Sequence, residues 1–418
     1  MNTSRKRTFA IAGVVAFALL AGACSSSSKS ASTTAAPTTT AAPAATTAAT
    51  TATTTAATTA AGGTTAAGGT TATTTGATTA PTTGATTAAP TIDYSSLKGT
   101  LAGSGSTFTQ AFLEEAIADL ADKAPGLTVQ YGGGGSGKGR TDLQTQLVDY
   151  AGTDGTVAAA DVSKYAGGAF VYIPTVIAPI TVSYNLKGVS NLQLSPATLS
   201  GIFQQTITKW NDPAIAADNP SATLPSTNIV VAVRSDGSGT TQNFTQFLDL
   251  AVGAKATPPG DWKLGSGSTV EWPSGVQSGA GNAGVAQIIG STDGAIGYVD
   301  LSDALAAKLT FASVKNKAGK FIAPTLDATA EAASNVTIND DLTFFLGWAD
   351  GDGSYPIAAQ TWIIVYTKQK DAQTATNLKG FLTYLLTDGQ TIAPTVNYAP
   401  LPPALAAKAL ANIAKISS

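Results

Sequence analysis

The chain has 418 residues, 43% of them hydrophobic and 12% charged, with a formal net charge of −3. It contains no histidine and a single cysteine, Cys24, which excludes Ser-His-Asp and Cys-His catalysis, His-ligated metals and an internal disulfide. Residues 93–418 carry 19 Lys and Arg against 26 Asp and Glu, a net of −7. Bulk attraction to nucleic acid is therefore excluded, and any bound anion must be held by local donors.

In chain order, Arg5, Lys6 and Arg7 precede an apolar stretch from Phe9 to Ala21. This stretch is too short for a membrane span and fits a secretory leader over residues 1–23. It ends at Leu20-Ala21-Gly22-Ala23-Cys24, which resembles a bacterial lipobox with Leu one place further back than usual; Cys24 is the expected lipidation site. Residues 24–92 are almost wholly Ala, Thr, Ser, Gly and Pro. Without large apolar side chains they cannot offset their ordering entropy and are expected to form a tether. The rest is longer than one core usually accommodates, so two lobes are expected.

Beyond the tether, strands alternate with helices, which predicts an α/β fold. Thr107 to Asp122 places Phe108, Phe112, Leu113, Ile117 and Leu120 on one helical face. Leu127 to Tyr131 reads as a strand, Arg140 to Asp149 as a helix, and Ala151 to Asp154 as the end of a strand. Phe170 to Tyr184 is an apolar strand that bends at Pro174 and Pro179 as it crosses between lobes. Asn228 to Val233 is a buried strand that feeds a Gly-rich turn and a helix from Thr240 to Leu250. A helix near Gly284 to Ile289, strands at Ile296 to Val299 and Trp362 to Tyr366, and helices from Asp371 to Leu386 and Pro403 to Ile413 complete the chain.

Three glycine- and hydroxyl-rich turns each lead into a predicted helix: Gly103 to Phe108, Gly132 to Gly139, and Asp236 to Thr241. Helix N-termini offer free N–H groups and partial positive charge, and glycine lets the backbone close on a tetrahedral anion. The second turn nearly spells a nucleotide P-loop, but Gly139 stands where the magnesium-binding Ser or Thr belongs. Arg234 and Asp236 follow a buried strand, and an Arg fork matches phosphate oxygens. Asp154 ends its own strand. A carboxylate tolerates an oxyanion that brings a proton to donate, as phosphate does at neutral pH and sulfate does not. The alternative is that Asp154 caps a helix and Arg234 and Asp236 form a surface pair.

Several blocks in order resemble the phosphate-binding receptor (PstS-type) of bacterial phosphate ABC transporters. They are Gly103 to Phe108, Tyr131 to Asp154, Ile207 to Pro213 around Trp210, Arg234 to Thr240, Gly281 to Val285, Gly294 to Tyr298, and Tyr398 to Pro402. The resemblance implies a two-lobe type II periplasmic-binding fold, with lobe I at 93–175 and 356–418 and lobe II at 176–355. It implies phosphate contacts from Thr107, Phe108 (through its N–H), Ser136, Asp154, Arg234, Asp236, Ser238, Gly239 and Thr240, in which Asp154 accepts the ligand proton and Asp236 orients Arg234. Lys138 and Arg140 depart from the family's small or apolar residues; they are expected to face solvent, or else to raise the local potential. Trp210 is expected to pack within a lobe.

The expected protein is a non-enzymatic, lipid-anchored, monomeric receptor on the outer face of the cell membrane. It needs no cofactor or metal, binds no nucleic acid, and hands phosphate to permease subunits. The rival readings are a receptor for arsenate, sulfate or molybdate, and a phosphate-releasing hydrolase or adhesin.

Overall fold

A computed structural model describes residues 91–418. The leader, Cys24 and all but the last two residues of the 24–92 segment lie outside the described residues. Among the described residues the elements run β1 (Gly99–Gly105), α1 (Gln110–Lys123), β2 (Leu127–Gly134), α2 (Ser136–Gln144), β3 (Tyr150–Thr153), β4 (Phe170–Asn185), β5 (Gln193–Leu194), α3 (Pro196–Phe203), α4 (Pro213–Asp218), β6 (Val230–Arg234) and α5 (Gly239–Val252). There follow β7 (Gln277–Gly279), α6 (Gly281–Ser291), β8 (Ala295–Asp300), α7 (Leu301–Ala306), β9 (Thr310–Phe311), β10 (Ser313–Lys315), β11 (Phe321–Ile322), α8 (Leu326–Ser334), β12 (Ala358–Tyr366), α9 (Ala372–Leu386), α10 (Gly389–Ile392) and α11 (Pro403–Ile413).

The main sheet has the order β2-β1-β3-β12-β4-β8-β6-β7, with β9 also on β4. At one end β1 is parallel to β2 and β3, and at the other β6 is parallel to β7 and β8. The antiparallel strands β12 and β4 join these two groups. The first residues of β4 pair with β12 and its last six with β8, so one strand serves both ends. Neither proline interrupts β4. Pro174 lies opposite Trp362 at a register irregularity in β12, and Pro179 is the last β4 residue paired to β12 before pairing to β8 begins at Ile180. Both stand where the ladder is already changing, and there a missing N–H is tolerated.

Helices cover the sheet through their apolar faces. On α1, Phe112, Leu113, Ala116 and Leu120 are buried while Ile117 is only half-buried; each large apolar side chain buried this way contributes about 1.5–3 kcal/mol. Trp210 is fully buried beside Tyr184, and its indole N–H donates to the Gly294 carbonyl at 3.0 Å. It packs, as expected. Helix α2 begins at Ser136, four residues before the predicted start, and ends at Gln144; Gln146 has a positive φ of 56° that helical backbone does not take.

This topology positions the site. The parallel strands β1, β2, β3, β6 and β7 end at Gly105, Gly134, Thr153, Arg234 and Gly279, and each is followed within a few residues by one of the candidate residues or turns. In open α/β sheets, the carboxyl ends of parallel strands form the crevice where ligands bind.

Candidate anion-binding site

Four helix N-termini meet at these strand ends. Ser136 opens α2, Gly239 opens α5, Gly281 opens α6, and Thr107 and Phe108 lie just before α1. They are tied into one network. The Asn282 side-chain amide donates to the hydroxyl oxygens of Thr107 (3.3 Å) and Thr240 (3.2 Å), and the Asn282 N–H also donates to Thr107 Oγ1. The Gly137 N–H donates to the Gly237 carbonyl at 2.7 Å, joining the turn after β2 to the turn after β6. Close approach requires glycine here. A Cβ on Gly135, whose φ is +89°, would collide with the Asp236 carboxylate, and one on Gly239 would lie 2.5 Å from both Asp154 Oδ2 and Ser136 Oγ.

Arg234 is the cation of the site, its side chain 1% exposed. Nε donates to Asp236 Oδ1 at 2.9 Å and Nη2 to Oδ2 at 2.5 Å, a fork-on-fork pair, while Nη1 donates to Thr240 Oγ1 at 3.3 Å. The surface-pair alternative is thereby excluded. Burial pushes the Asp236 carboxyl up, but the Arg234 hydrogen bonds and charge and the Gly281 N–H outweigh it and hold the group below its ordinary range. Asp236 thus stays ionised and fixes the guanidinium plane.

Asp154 is 1% exposed. Its Oδ2 accepts from Ser106 Oγ (2.6 Å) and Ser136 Oγ (3.1 Å), and its backbone carbonyl accepts from the Asn243 and Gln360 side chains. Oδ1 is buried, and no donor among the described residues reaches it. Burial pushes the carboxyl up to about 6, against the lowering influence of the two serines, Arg234 and Arg140. A carboxyl raised in the folded protein favours folding fully below its unfolded pKa of 3.8, and that stability is lost as pH rises through about 6. Between pH 4 and pH 8 the ligand-free protein is therefore expected to lose about 2 kcal/mol relative to Asp154→Asn. Urea unfolding of the two proteins at a series of pH values measures this, since the other carboxyls cancel in the difference.

The remaining expected residues are here too, with some contacts already taken. Ser238 caps α5, its Oγ accepting from the Thr241 N–H at 3.1 Å, which leaves its own O–H to donate. The N–H groups of Gly239 and Thr240 fall in the first turn of α5, where no intrahelical acceptor exists. The Phe108 N–H donates to Ser106 Oγ at 3.0 Å, and the Phe108 ring is buried against Tyr398. Sequence reasoning left Ser106 and Asn282 out of the set, although Ser106 stands in one of the three turns and Asn282 in one of the blocks that carry the family resemblance. Lys138 is exposed and pairs with Asp142, as expected. Arg140 does not face solvent. It is half-buried, and its Nη1 donates to Thr153 Oγ1 (3.0 Å) and the Gly155 carbonyl (3.4 Å), the residues on either side of Asp154. Among the described residues no cluster of His, Cys, Asp or Glu is placed to hold a metal.

Such a chamber, with helix N-termini, hydroxyls, one forked guanidinium and one buried carboxylate, can hold a tetrahedral oxyanion. Residues 16–389 match the family described as PBP superfamily domain. Phosphate-binding protein PstS of Xylella fastidiosa is 34% identical over 309 residues, covering 73% of this chain and 82% of that one. PstS 3 of Mycobacterium tuberculosis is 36% identical over 321 residues, covering 73% and 83%. The chain belongs to the PstS family. The high-affinity periplasmic phosphate-binding protein PfluDING, solved with phosphate, shares the fold at a TM-score of 0.62 and 24% identity, over 75% of this chain and 93% of that one. The PstS fold of this chain is the two-lobe type II arrangement, and β4 and β12 are the strands that join its two ends.

Proposed function

We propose that the protein is an extracytoplasmic solute-binding protein that captures inorganic phosphate for import by an ABC transporter. The observation that carries phosphate in particular is Asp154 Oδ1, a buried carboxylate oxygen that meets no donor among the described residues, beside Arg234 and the N-termini of α2 and α5. An acceptor with no other partner favours an oxyanion that brings its own proton. In this reading Thr107, Ser136, Ser238, Gly239 and Thr240 donate to phosphate oxygens. Arg234 grips them with Asp236 holding it in place, and Asp154 takes the ligand proton. The Phe108 N–H joins them once it exchanges Ser106 Oγ for a phosphate oxygen.

Residues 93–175 and 356–418 form lobe I and residues 176–355 lobe II, closing over the anion by a hinge in β4 and β12. Cys24 carries the lipid that holds the receptor at the membrane, and residues 24–92 tether it. The receptor acts as a monomer, without covalent chemistry, and docks on the permease when closed.

Titration calorimetry on protein freed of co-purified anion tests the ligand. Phosphate is expected to bind at least a thousandfold more tightly than sulfate at pH 7.5. Sulfate binding as tightly as phosphate would overturn the reading. Release of product from a chromogenic phosphomonoester would overturn the non-enzymatic part.

A further inference from the structure

The chamber's own charges do not balance. Arg234 and Asp236 neutralise each other through two hydrogen bonds, which leaves Asp154 as an uncompensated buried anion on the wall of a site for anions. A buried charge without a compensating partner is costly, and so is an anion brought up to it. The second cation is Arg140. It lies four residues after Ser136 on α2, hence on the same helical face. Ser136 Oγ bonds Asp154 Oδ2, while Arg140 reaches past it to Thr153 Oγ1 and the Gly155 carbonyl. The guanidinium makes no ion pair within 4 Å among the described residues. Its acceptors are a hydroxyl and a carbonyl, so its charge is not neutralised at contact distance and acts on Asp154 instead.

We infer that Arg140 is a positioning residue that keeps Asp154 an unprotonated, acceptor-only wall of the chamber and thereby sets the receptor's choice between protonated and unprotonated oxyanions. The inference rests on the phosphate reading for its ligand, but not for its effect on Asp154. Every element packed around Asp154 agrees with it. Arg140 comes from α2, Arg234 from β6 with Asp236 beyond it, Tyr131 from β2, and Tyr398 from the loop before α11; α5 and β12 present the neutral Asn243 and Gln360. Burial drives both tyrosines well above their ordinary range, so they stay neutral. A cavity of about 310 Å³ adjoins Asp154 through Gly155, Gln242 and Asn243, and its lining holds no ionisable group but Asp154 itself. Ser106 and Ser136 favour the charged carboxylate through hydrogen bonds, and the two arginines favour it through charge; of those two, Arg234 is already committed to Asp236. With Asp154 held near 6 by the present surroundings, loss of the Arg140 charge brings its titration into the neutral range. There a protonated Asp154 would donate, and it would accept sulfate as readily as phosphate.

The test compares Arg140→Gln, which keeps hydrogen-bonding capacity but no charge, with Arg140→Lys, which keeps charge. Asp154 is titrated in the ligand-free proteins by carboxyl-carbon NMR, assigned with Asp154→Asn, and phosphate and sulfate affinities are measured from pH 5.5 to 8.5. In Arg140→Gln the Asp154 midpoint is expected to rise by about one unit. The phosphate-to-sulfate affinity ratio at pH 7 should fall about tenfold, to the value the wild type shows about one pH unit lower. Arg140→Lys should retain the wild-type midpoint and ratio. An unchanged midpoint in Arg140→Gln overturns the inference, even if thermal stability falls, because Arg140 would then only anchor residues 153–155. A ratio unchanged at pH 7 overturns it as well. If the wild type bound no phosphate, the phosphate reading would fail, while the midpoint would still report on Arg140.

Discussion

Arg234→Ala is expected to weaken phosphate binding by at least about a thousandfold in titration calorimetry. The side chain is 1% exposed and supplies the only fork in the network, so its removal takes away the charge-assisted bonds to the anion. It also strands Asp236, which keeps only the Gly281 N–H as a donor from another residue's backbone, at 2.9 Å. An unpaired carboxylate then faces the incoming anion. Breaking a buried pair by deleting one partner costs about 3–5 kcal/mol, and three decades of affinity correspond to about 4 kcal/mol. Arg234→Lys restores charge without the fork and should fall between wild type and alanine. The double variant Arg234→Ala/Asp236→Ala should bind better than Arg234→Ala alone, because it removes the stranded carboxylate; the non-additivity measures how much of the loss is repulsion. A loss of less than tenfold in Arg234→Ala, with folding intact by thermal melting, would remove Arg234 from the site.

What the sequence disclosed of this site follows from how local each signal is. The Gly-Ser turns are local: strand, glycine and hydroxyl fall within a few residues, and each turn does lead into a helix at a strand's carboxyl end. Arg234 and Asp236 are two residues apart on one such turn, so their pairing needed no long-range information. Asn282 was different. Its turn, Gly281-Asn282, reads as an ordinary helix start, and its bonds to Thr107 and Thr240 span 175 and 42 residues. Arg140 depended on helix register. A helix started at residue 140 leaves that residue's face undecided, whereas the start at Ser136 puts it on the second turn, one helical repeat behind a serine that bonds Asp154. The prolines of β4 were legible as irregularities but not as tolerated ones. That requires knowing that β12 shifts register opposite Pro174 and that β8 takes over beyond Pro179.

Asp154→Asn is expected to cut the phosphate-to-sulfate affinity ratio by about a hundredfold or more, through weaker phosphate binding and stronger sulfate binding. The carboxylate has two oxygens and no proton at neutral pH. Oδ2 is saturated by Ser106 and Ser136, and Oδ1 is buried with nothing to accept. Sulfate has no proton to offer Oδ1 and would place charge against charge at a buried carboxylate, whereas protonated phosphate donates to it. Sites that hydrogen-bond a particular ligand group reject analogues lacking it by about four to five decades. Asparagine changes the sign of the recognition, since its amide can donate to an unprotonated oxyanion and no longer repels it. The same logic predicts a pH dependence for the wild type. As pH falls through about 6, Asp154 takes up a proton and becomes a donor, so discrimination against sulfate should fade on the acid side and the profile of Asp154→Asn should be flat there. Calorimetry with both anions at pH 5, 6, 7 and 8 reads both effects. A ratio unchanged within threefold between wild type and Asp154→Asn at pH 7 would show that discrimination lies elsewhere in the chamber, with Arg234 and the helix N-termini selecting by size and charge alone.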